Sequence, residues 1–409
     1  MSPAHDLIFV SMENWDAHWR RNQFLCAELT RRDPSLRVLF VGLPRNFSYS
    51  LSRGRLRDFD QIATYPAPGF DRVTVTHAPK WLPDSLGPAR RINEWLMRRH
   101  VRRIARRVGL LRPVLWLNPH HAVHMAGRMG ESACVYDITD DWTTLTQSRR
   151  LAELTRRQDA ELCRRADATI VCSARLREMK APLARHLYLI PNGVDAAHYA
   201  RVLDPVTAPP PAVAALPKPV FGYTGTIHPD RVDVGLVAEL ARAYPNGSVV
   251  MVGPNFLSAA DNERLRSFRN VHLPGAAPYA DIPATMATFD VCITPHRMTP
   301  FTESLNPIKL WEYLAAGLPI VSTDVAGFRD FPDLVRLART PAEFVAAAGA
   351  ALAEGRAKVD ARRAAVATHS WAGRVDEVEA VIGSCLARRA ATRAEPPAPV
   401  DAKGAARVA

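Results

Sequence analysis

The sequence predicts an α/β chain of two Rossmann-like domains, each built on a parallel sheet, with the strand ends facing a shared cleft. Three observations predict it. The 409 residues exceed the size to which a single core usually grows. Short apolar runs alternate with helical periodicity along almost the whole chain. Residues 200–219 hold Pro205, Pro209, Pro210, Pro211, Pro217 and Pro219, a linker composition. The expected domains are therefore 1–200 and 220–368, joined by a linker at 201–219 and followed by a C-terminal helix at 369–390 and a disordered tail at 391–409.

In the first domain, residues 5–11 (HDLIFVS) read as a buried strand. The loop after it carries Glu13, Asn14, Trp15, Asp16, His18, Trp19, Arg20 and Arg21, then enters an amphipathic helix ending near Arg31. Ligands of parallel sheets sit at the carboxyl ends of strands, so this loop should face the cleft. Trp15 and Trp19 could equally pack on the helix. A second strand follows at 37–41, and residues 44–70 have weak periodicity with Arg53, Arg55 and Arg57 exposed. After a strand at 71–76, residues 89–112 form a helix with nine arginines and one acid, Glu94. Met97, Val101, Ile104 and Val108 make its apolar stripe, and its basic face is either simply solvated or an electrostatic contact for anionic lipid headgroups. Strands at 114–118, 133–138, 168–173 and 187–191 complete the alternation.

In the second domain a strand at 220–224 runs into Gly225 and Thr226, where a glycine lets backbone approach phosphate. A helix at 233–243, strands at 248–252 and 270–273, a helix at 282–288 and a strand at 291–295 follow, delivering His296 to a strand end as a ligand contact or a satisfied structural histidine. Residues 302–323, TESLNPIKLWEYLAAGLPIVST, organise the domain. Asn306 is a good N-cap and Pro307 suits a first helical position, while Gly317 and Pro319 stop the helix before a buried strand. Lys309 faces the positive end of that helix dipole, a mild penalty of about 0.3–1 kcal/mol that a bound diphosphate would reverse. Glu312, one turn on, could accept hydrogen bonds from sugar hydroxyls; alternatively the two are a surface i,i+3 pair. Helices at 341–353 and 371–388 end the fold.

Residues 302–323 resemble the donor-binding element of GT-B glycosyltransferases of the family-1/family-4 type, in which a glutamate of such a helix holds the ribose. The run NPIKLWEYLAAGLPIV resembles polysaccharide-assembly enzymes of the teichuronic-acid type and, more distantly, of the xanthan glucuronosyltransferase type, where a lysine placed like Lys309 meets the donor phosphates. The family's second glutamate would fall at Ser304, leaving Glu303 one place off as the residue for the donor sugar. The resemblance implies a last helix crossing back to the first domain, a nucleotide-sugar donor, and a role near donor or acceptor for His18; Gly225, Thr226, His296 and Asn306 are expected in the donor site. It also implies a general base: Asp140 in YDITDDW matches the base aspartate of the xanthan type. Asp137 and Asp141 flank it, and three close acids would repel and raise one pKa. Against this, Asp140 or Asp141 could cap the next helix. His120 and His121 lie near where retaining relatives place a group beside the donor sugar, so the stereochemistry stays open. Lys309 and the helix amides can replace Mg²⁺, so neither a metal nor a cofactor is expected.

Composition bounds the rest. Residues 1–200 hold 31 Lys and Arg against 20 Asp and Glu, and residues 201–409 hold 22 against 21, so +11 of the net +12 resides in the first half. That field suits an anionic membrane surface and a lipid-linked or saccharide acceptor. No aromatic-basic RNA motif accompanies it, and nucleic acid is not expected as a partner. Cys26, Cys134, Cys163, Cys172, Cys292 and Cys385 lack metal-like spacing, so neither zinc nor disulfides are expected. Without an export signal or an apolar run of about 18 residues, the expected location is cytoplasmic, with peripheral attachment to the inner membrane face. Two further readings fit the composition: a sugar-nucleotide 2-epimerase on the same architecture, and a non-enzymatic basic binding protein.

Overall fold

The computed structural model describes residues 5–47, 64–83, 87–144, 148–204 and 208–394. Of the expected excursion at 44–70, residues 48–63 with Arg53, Arg55 and Arg57, and of the expected tail at 391–409, residues from 395, lie outside these residues. Two sheets carry the described fold. The first contains β1 (Leu7–Val10), β2 (Val38–Asn46), β3 (Tyr65–Ala67), β4 (Phe70–Lys80), β5 (Val114–Leu117), β6 (Ala133–Ile138), β7 (Ala168–Val171) and β8 (Leu187–Leu189) in the order β3-β4-β2-β1-β5-β6-β7-β8. All its pairings are parallel except the antiparallel β3–β4 edge. The second contains β9 (Val220–Thr224), β10 (Ser248–Val252), β11 (Val271–Gly275), β12 (Val291–Thr294), β13 (Ile320–Thr323) and β14 (Val335–Ala338), parallel in the order β11-β10-β9-β12-β13-β14.

Strands such as LIFV and VLWL are apolar on both faces because helices cover both sides of each sheet. Each sheet accordingly divides its apolar side chains between two clusters. In each, chain order reverses beside the first strand, between β1 and β5 and between β9 and β12. Connections diverge there and leave a crevice at the strand ends, the usual ligand position in this architecture.

Several boundaries differ from expectation. The organising helix is Ile308–Ala316, with Pro307 in extended conformation at φ −71°, ψ 122° as its N-cap. Asn306 does not cap it; its Oδ1 instead accepts from the Asn192 amide at 2.8 Å and from Trp311 Nε1 at 3.2 Å, tying the helix to the first domain. At the other end Gly317 takes the left-handed conformation, φ 78°. The arginine-rich helix is Gly87–Arg107, two residues earlier at its start and five shorter at its end; Val101 and Ile104 are buried as the stripe requires. The proline-rich connection is packed rather than free, since Val202 and Val213 enter the second domain's core. The last helix spans Trp371–Ala394, four residues beyond the expected end. It does cross back: Trp371 stacks on Phe24 at 4.7 Å, and Val375, Val378 and Val381 join the first domain's core. Arg32 reaches Asp376 at 2.5 Å and Arg389 reaches Asp167 at 2.8 Å along the same contact. All six cysteines are buried as free thiols. Among the described residues no helix is long and apolar enough to cross a membrane.

Candidate active site

A cleft of about 370 Å³ opens between the two sheets. Its lining includes Met12 and Glu13 after β1, Asn118 after β5, Gly225 after β9 and His296 after β12, so the two points of reversed strand order face each other across it.

The second domain's wall is shaped by backbone. Gly225, at φ 126°, gives Lys309 its space: a Cβ there would lie 3.4 Å from Lys309 Nζ. Gly253 is tighter still, because at φ 152° its Cβ would stand 2.0 Å from the Gly225 carbonyl. The Lys309 ammonium lies 4.9 Å from the centre of the Tyr223 ring, whose hydroxyl donates to the Thr226 carbonyl at 2.9 Å. Lys309 belongs to the first turn of the Ile308–Ala316 helix, where the Leu310 amide donates to the Pro307 carbonyl at 3.1 Å and the Ile308 and Lys309 amides have no intrahelical acceptor. His296 is 1% exposed, and neither ring nitrogen has a hydrogen-bond partner. Burial, helped by the charges of Lys309 and Arg231, holds it well below the ordinary imidazole value, so the ring is neutral at pH 7. Glu312 faces the same space and accepts a hydrogen bond from Tyr199 Oη at 2.7 Å. Burial raises its carboxyl above the usual value, opposed by the Tyr199 hydroxyl and Lys309.

The first domain's wall is made of charged side chains. The three acids of YDITDDW have separate positions. Asp137 is fully buried in a bidentate pair with Arg21, at 3.0 and 3.2 Å, and is structural. Asp141 accepts from the amide and hydroxyl of Thr143 at 3.1 and 2.6 Å, so it caps a turn; the following helix is capped by Ser148. Asp140 lines the cleft and lies 3.5 Å from the guanidinium of Arg231, which comes from the opposite domain. The carboxyl that burial raises in this cluster is Glu13, to about 7; Arg20 and Arg231 oppose the shift, and Asp140 and Asp16 add to it. His18 also lines the cleft, with its backbone N–H donating to Asp16 Oδ1 at 2.8 Å.

The cleft thus gathers His18, Asp140, Gly225, Thr226, His296, Asn306, Lys309 and Glu312. Glu303 lies outside its lining: Arg329 holds both carboxylate oxygens at 2.7 and 2.8 Å, which corrects the expectation that it reaches the donor sugar. His120 and His121 also lie outside, in a 3-10 turn beside β5. Sequence reasoning missed Arg231, Tyr199 and Tyr279. Tyr279 stacks on His198 at 4.2 Å and on Trp19 at 6.0 Å, joining the domains at the cleft edge. None carries a local signal, since each acquires its place from the meeting of two domains.

Residues 218–354 match the family described as glycosyl transferases group 1. Over 204 residues the chain is 29% identical to a Bacillus subtilis (strain 168) protein provisionally named a teichuronic acid biosynthesis glycosyltransferase, TuaH. The match takes in 47% of this chain and 50% of TuaH, so the chain spans about half the length of this curated relative. Sucrose-phosphate synthase of Thermosynechococcus elongatus superposes with a TM-score of 0.68 at 14% identity, covering 94% of this chain and 100% of that one. Anabaena HepE, solved in complex with UDP-glucose, does so at 0.66 and 14%, covering 93% and 100%. At such identities the likeness is one of fold. The chain is built on the GT-B fold, and residues 218–354 of its second domain are similar to the glycosyl transferases of group 1.

Proposed function

We propose that the protein is a glycosyltransferase moving a sugar from a nucleoside diphosphate donor, a UDP-sugar, to a lipid-linked or saccharide acceptor in polysaccharide assembly. The observation that carries this reading is that Lys309 and Glu312 both line the cleft at the β9/β12 crevice, Lys309 in a first helical turn whose Ile308 and Lys309 amides have no intrahelical acceptor and Glu312 one turn further on. A diphosphate fits the ammonium and those amides, and ribose hydroxyls fit the Glu312 carboxylate. Departing diphosphate charge is then stabilised by fixed donors, so donor binding needs no metal ion. The group 1 match and the UDP-glucose complex of HepE support the donor class, and the kinship with TuaH supports polysaccharide assembly.

The acceptor would approach from the first domain. On its Gly87–Arg107 helix, Arg91, Arg99, Arg102, Arg103, Arg106 and Arg107 are exposed together with Ile92 (48%) and Trp95 (52%), a surface suited to anionic lipid. Binding to anionic but not neutral vesicles is the expected result there, and equal binding to both would remove the lipid from the reading.

Thermal unfolding with UDP, GDP, TDP or CMP, with and without EDTA, tests the donor site. A ligand at about 100 times its Kd adds about 2.7 kcal/mol, a shift of several degrees for a chain of this size. UDP is expected to produce that shift in EDTA, and Lys309→Ala to abolish most of it. No response to any nucleotide, or one that EDTA abolishes, would contradict the reading.

A further inference from the structure

The helix that carries Lys309 and Glu312 starts after Pro307, whose ring offers its amides no side-chain acceptor. Its entry is fixed instead from the other domain. Among the described residues, four hydrogen bonds from the first domain reach residues 304–306, just ahead of Pro307. The Ser173 hydroxyl donates to the Ser304 carbonyl at 2.6 Å, and the Asp141 amide donates to Ser304 Oγ at 3.3 Å. The Asn192 amide donates to Asn306 Oδ1 at 2.8 Å, and Asn192 Nδ2 donates to the Asn306 carbonyl at 2.5 Å. These donors follow three neighbouring strands, Asp141 after β6, Ser173 after β7 and Asn192 after β8. Asp141, Ser173, Asn192 and Ser304 are all buried, so the bonds are made away from water, where an unmade partner costs most. Arg21 holds Asn192 from behind: its Nη1 donates to Asn192 Oδ1 at 3.2 Å while the rest of the guanidinium is fixed by buried Asp137. Asp141, Ser173 and Ser304 lie outside the lining of the cleft, so they reach a donor only through the placing of the helix.

Resting on the transferase reading above, we propose that Ser173 and Asn192 are positioning residues that clamp the entry of the donor helix to the first domain, so that nucleotide binding and this clamp are thermodynamically coupled. The direction of the first turn sets where the Lys309 ammonium and the open amides point, and that direction is inherited from residues 304–306. A nucleotide that binds the clamped arrangement more tightly than the released one must hold the clamp shut by the same factor. A purely local role for Ser173 makes a different prediction. Its Oγ also accepts from the Leu176 amide at 3.2 Å, capping the short Ala174–Lys180 helix, and a cap alone has no reason to respond to nucleotide.

Amide hydrogen exchange of the full chain, followed residue by residue by NMR, reads the clamp directly, because the Asp141 and Asn192 N–H groups are two of its donors. In wild type with UDP at about 100 times its Kd, exchange at Asp141 is expected to slow by up to about 100-fold. The Ala152 amide, which donates to the Ser148 carbonyl in the first turn of the Arg149–Arg165 helix, is expected to keep its rate and serves as the control. Ser173→Ala is expected to speed exchange at Asp141 in the free protein by about 5–10-fold, the loss of one buried hydrogen bond, and Ser173→Thr, which keeps the hydroxyl, to restore the wild-type rate. A Ser173→Ala protein that exchanges faster at Leu176 and Arg177 but not at Asp141 makes Ser173 a helix cap only and overturns the proposal. Exchange at Asp141 that is equal with and without UDP, in wild type whose thermal shift shows the nucleotide bound, overturns the coupling and leaves sugar transfer standing. A wild type without thermal response to any nucleotide removes the donor site and the coupling together.

Discussion

The wall formed by β9, β10 and β12 makes its site from backbone: two glycines at positive φ, a helix start, a neutral histidine, and one ammonium. The wall formed by β1, β5 and β6 uses the same topology but fills its crevice with side-chain charge, Glu13, Arg20 and Asp140. A surface of fixed amides and one cation can hold an anion with little rearrangement, which suits binding. A cluster of mutually perturbing carboxyls and guanidiniums changes its protonation easily, which ties the wall's state to pH. Arg231 crosses between them, coming from the second wall and pairing with Asp140 on the first.

Backbone crowding should make the second wall the less tolerant of the two, and Gly253→Ala tests it with the largest expected effect. The new Cβ would stand 2.0 Å from the Gly225 carbonyl at a φ of 152°, and no side-chain rotation relieves a clash with backbone. A stability loss of about 3 kcal/mol is expected, read as a lower urea midpoint at unchanged m-value, together with loss of the UDP response. Gly42→Ala in the first sheet meets only the side chains of His77 and Asn14, at 2.8 to 3.1 Å, and should cost about 1 kcal/mol. Equal losses in the two proteins would end the contrast.

The first wall's charge cluster should instead show itself through pH. Burial raises Glu13 to about 7 from its ordinary 4.5, so the folded protein binds this proton more tightly than the unfolded chain does. That contribution favours the fold at low pH and is lost as pH rises from about 4.5 through about 7. Glutamine imitates the protonated form, so Glu13→Gln is expected to be more stable than wild type by about 1–3 kcal/mol at pH 8. The difference should fade towards pH 4.5, as read by urea unfolding across the range. A destabilised Glu13→Gln at pH 8 would mean that the carboxylate is held by favourable contacts rather than strained in the cleft. The expected gain has a direct interpretation: a carboxyl kept where it weakens the fold is the pattern of a functional site.

How far the two walls could be read in the sequence differs for the same physical reason. The alternation of strands and helices, the glycine after β9 and the lysine in the first turn after Pro307 are local patterns, legible because backbone conformation and helix polarity depend on near neighbours. Even there the start was displaced by one residue, because Asn306 bonds to Asn192 of the other domain rather than capping its own helix. The acids of YDITDDW looked equivalent as a run. Only the fold separates the buried partner of Arg21, the cleft residue facing Arg231 and the turn cap. Glu13 was visible merely as one polar residue of a crowded loop, since its altered acidity comes from burial and from Arg20, Asp140 and Arg231, residues up to 218 positions away. Glu303 failed for the converse reason: Arg329, 26 residues on, claims its carboxylate.

Tyr199 supplies the finest test, because among the described residues its hydroxyl is the one side-chain hydrogen-bond donor to the second wall's carboxylate. It sits in the short Ala196–Ala200 helix, where the chain has just left β8, and donates to Glu312 at 2.7 Å. Tyr199→Phe keeps the ring and its burial but removes that donor, leaving Glu312 with desolvation unopposed except by Lys309. Two consequences follow with the same sign. Loss of the donor raises the carboxyl further, disfavouring its ionised form, and loosens its orientation towards the proposed ribose site. Each weakens UDP binding by an amount typical of one charge-assisted hydrogen bond, about 1 kcal/mol together, or roughly a five-fold rise in Kd. Calorimetric titration at pH 7 and pH 9 separates the two. Higher pH favours the carboxylate and does not repair the orientation, so the defect should be smaller at pH 9 without vanishing. A defect of the same size at both pH values would assign the whole effect to orientation, and no defect at either would remove Glu312 from the donor site.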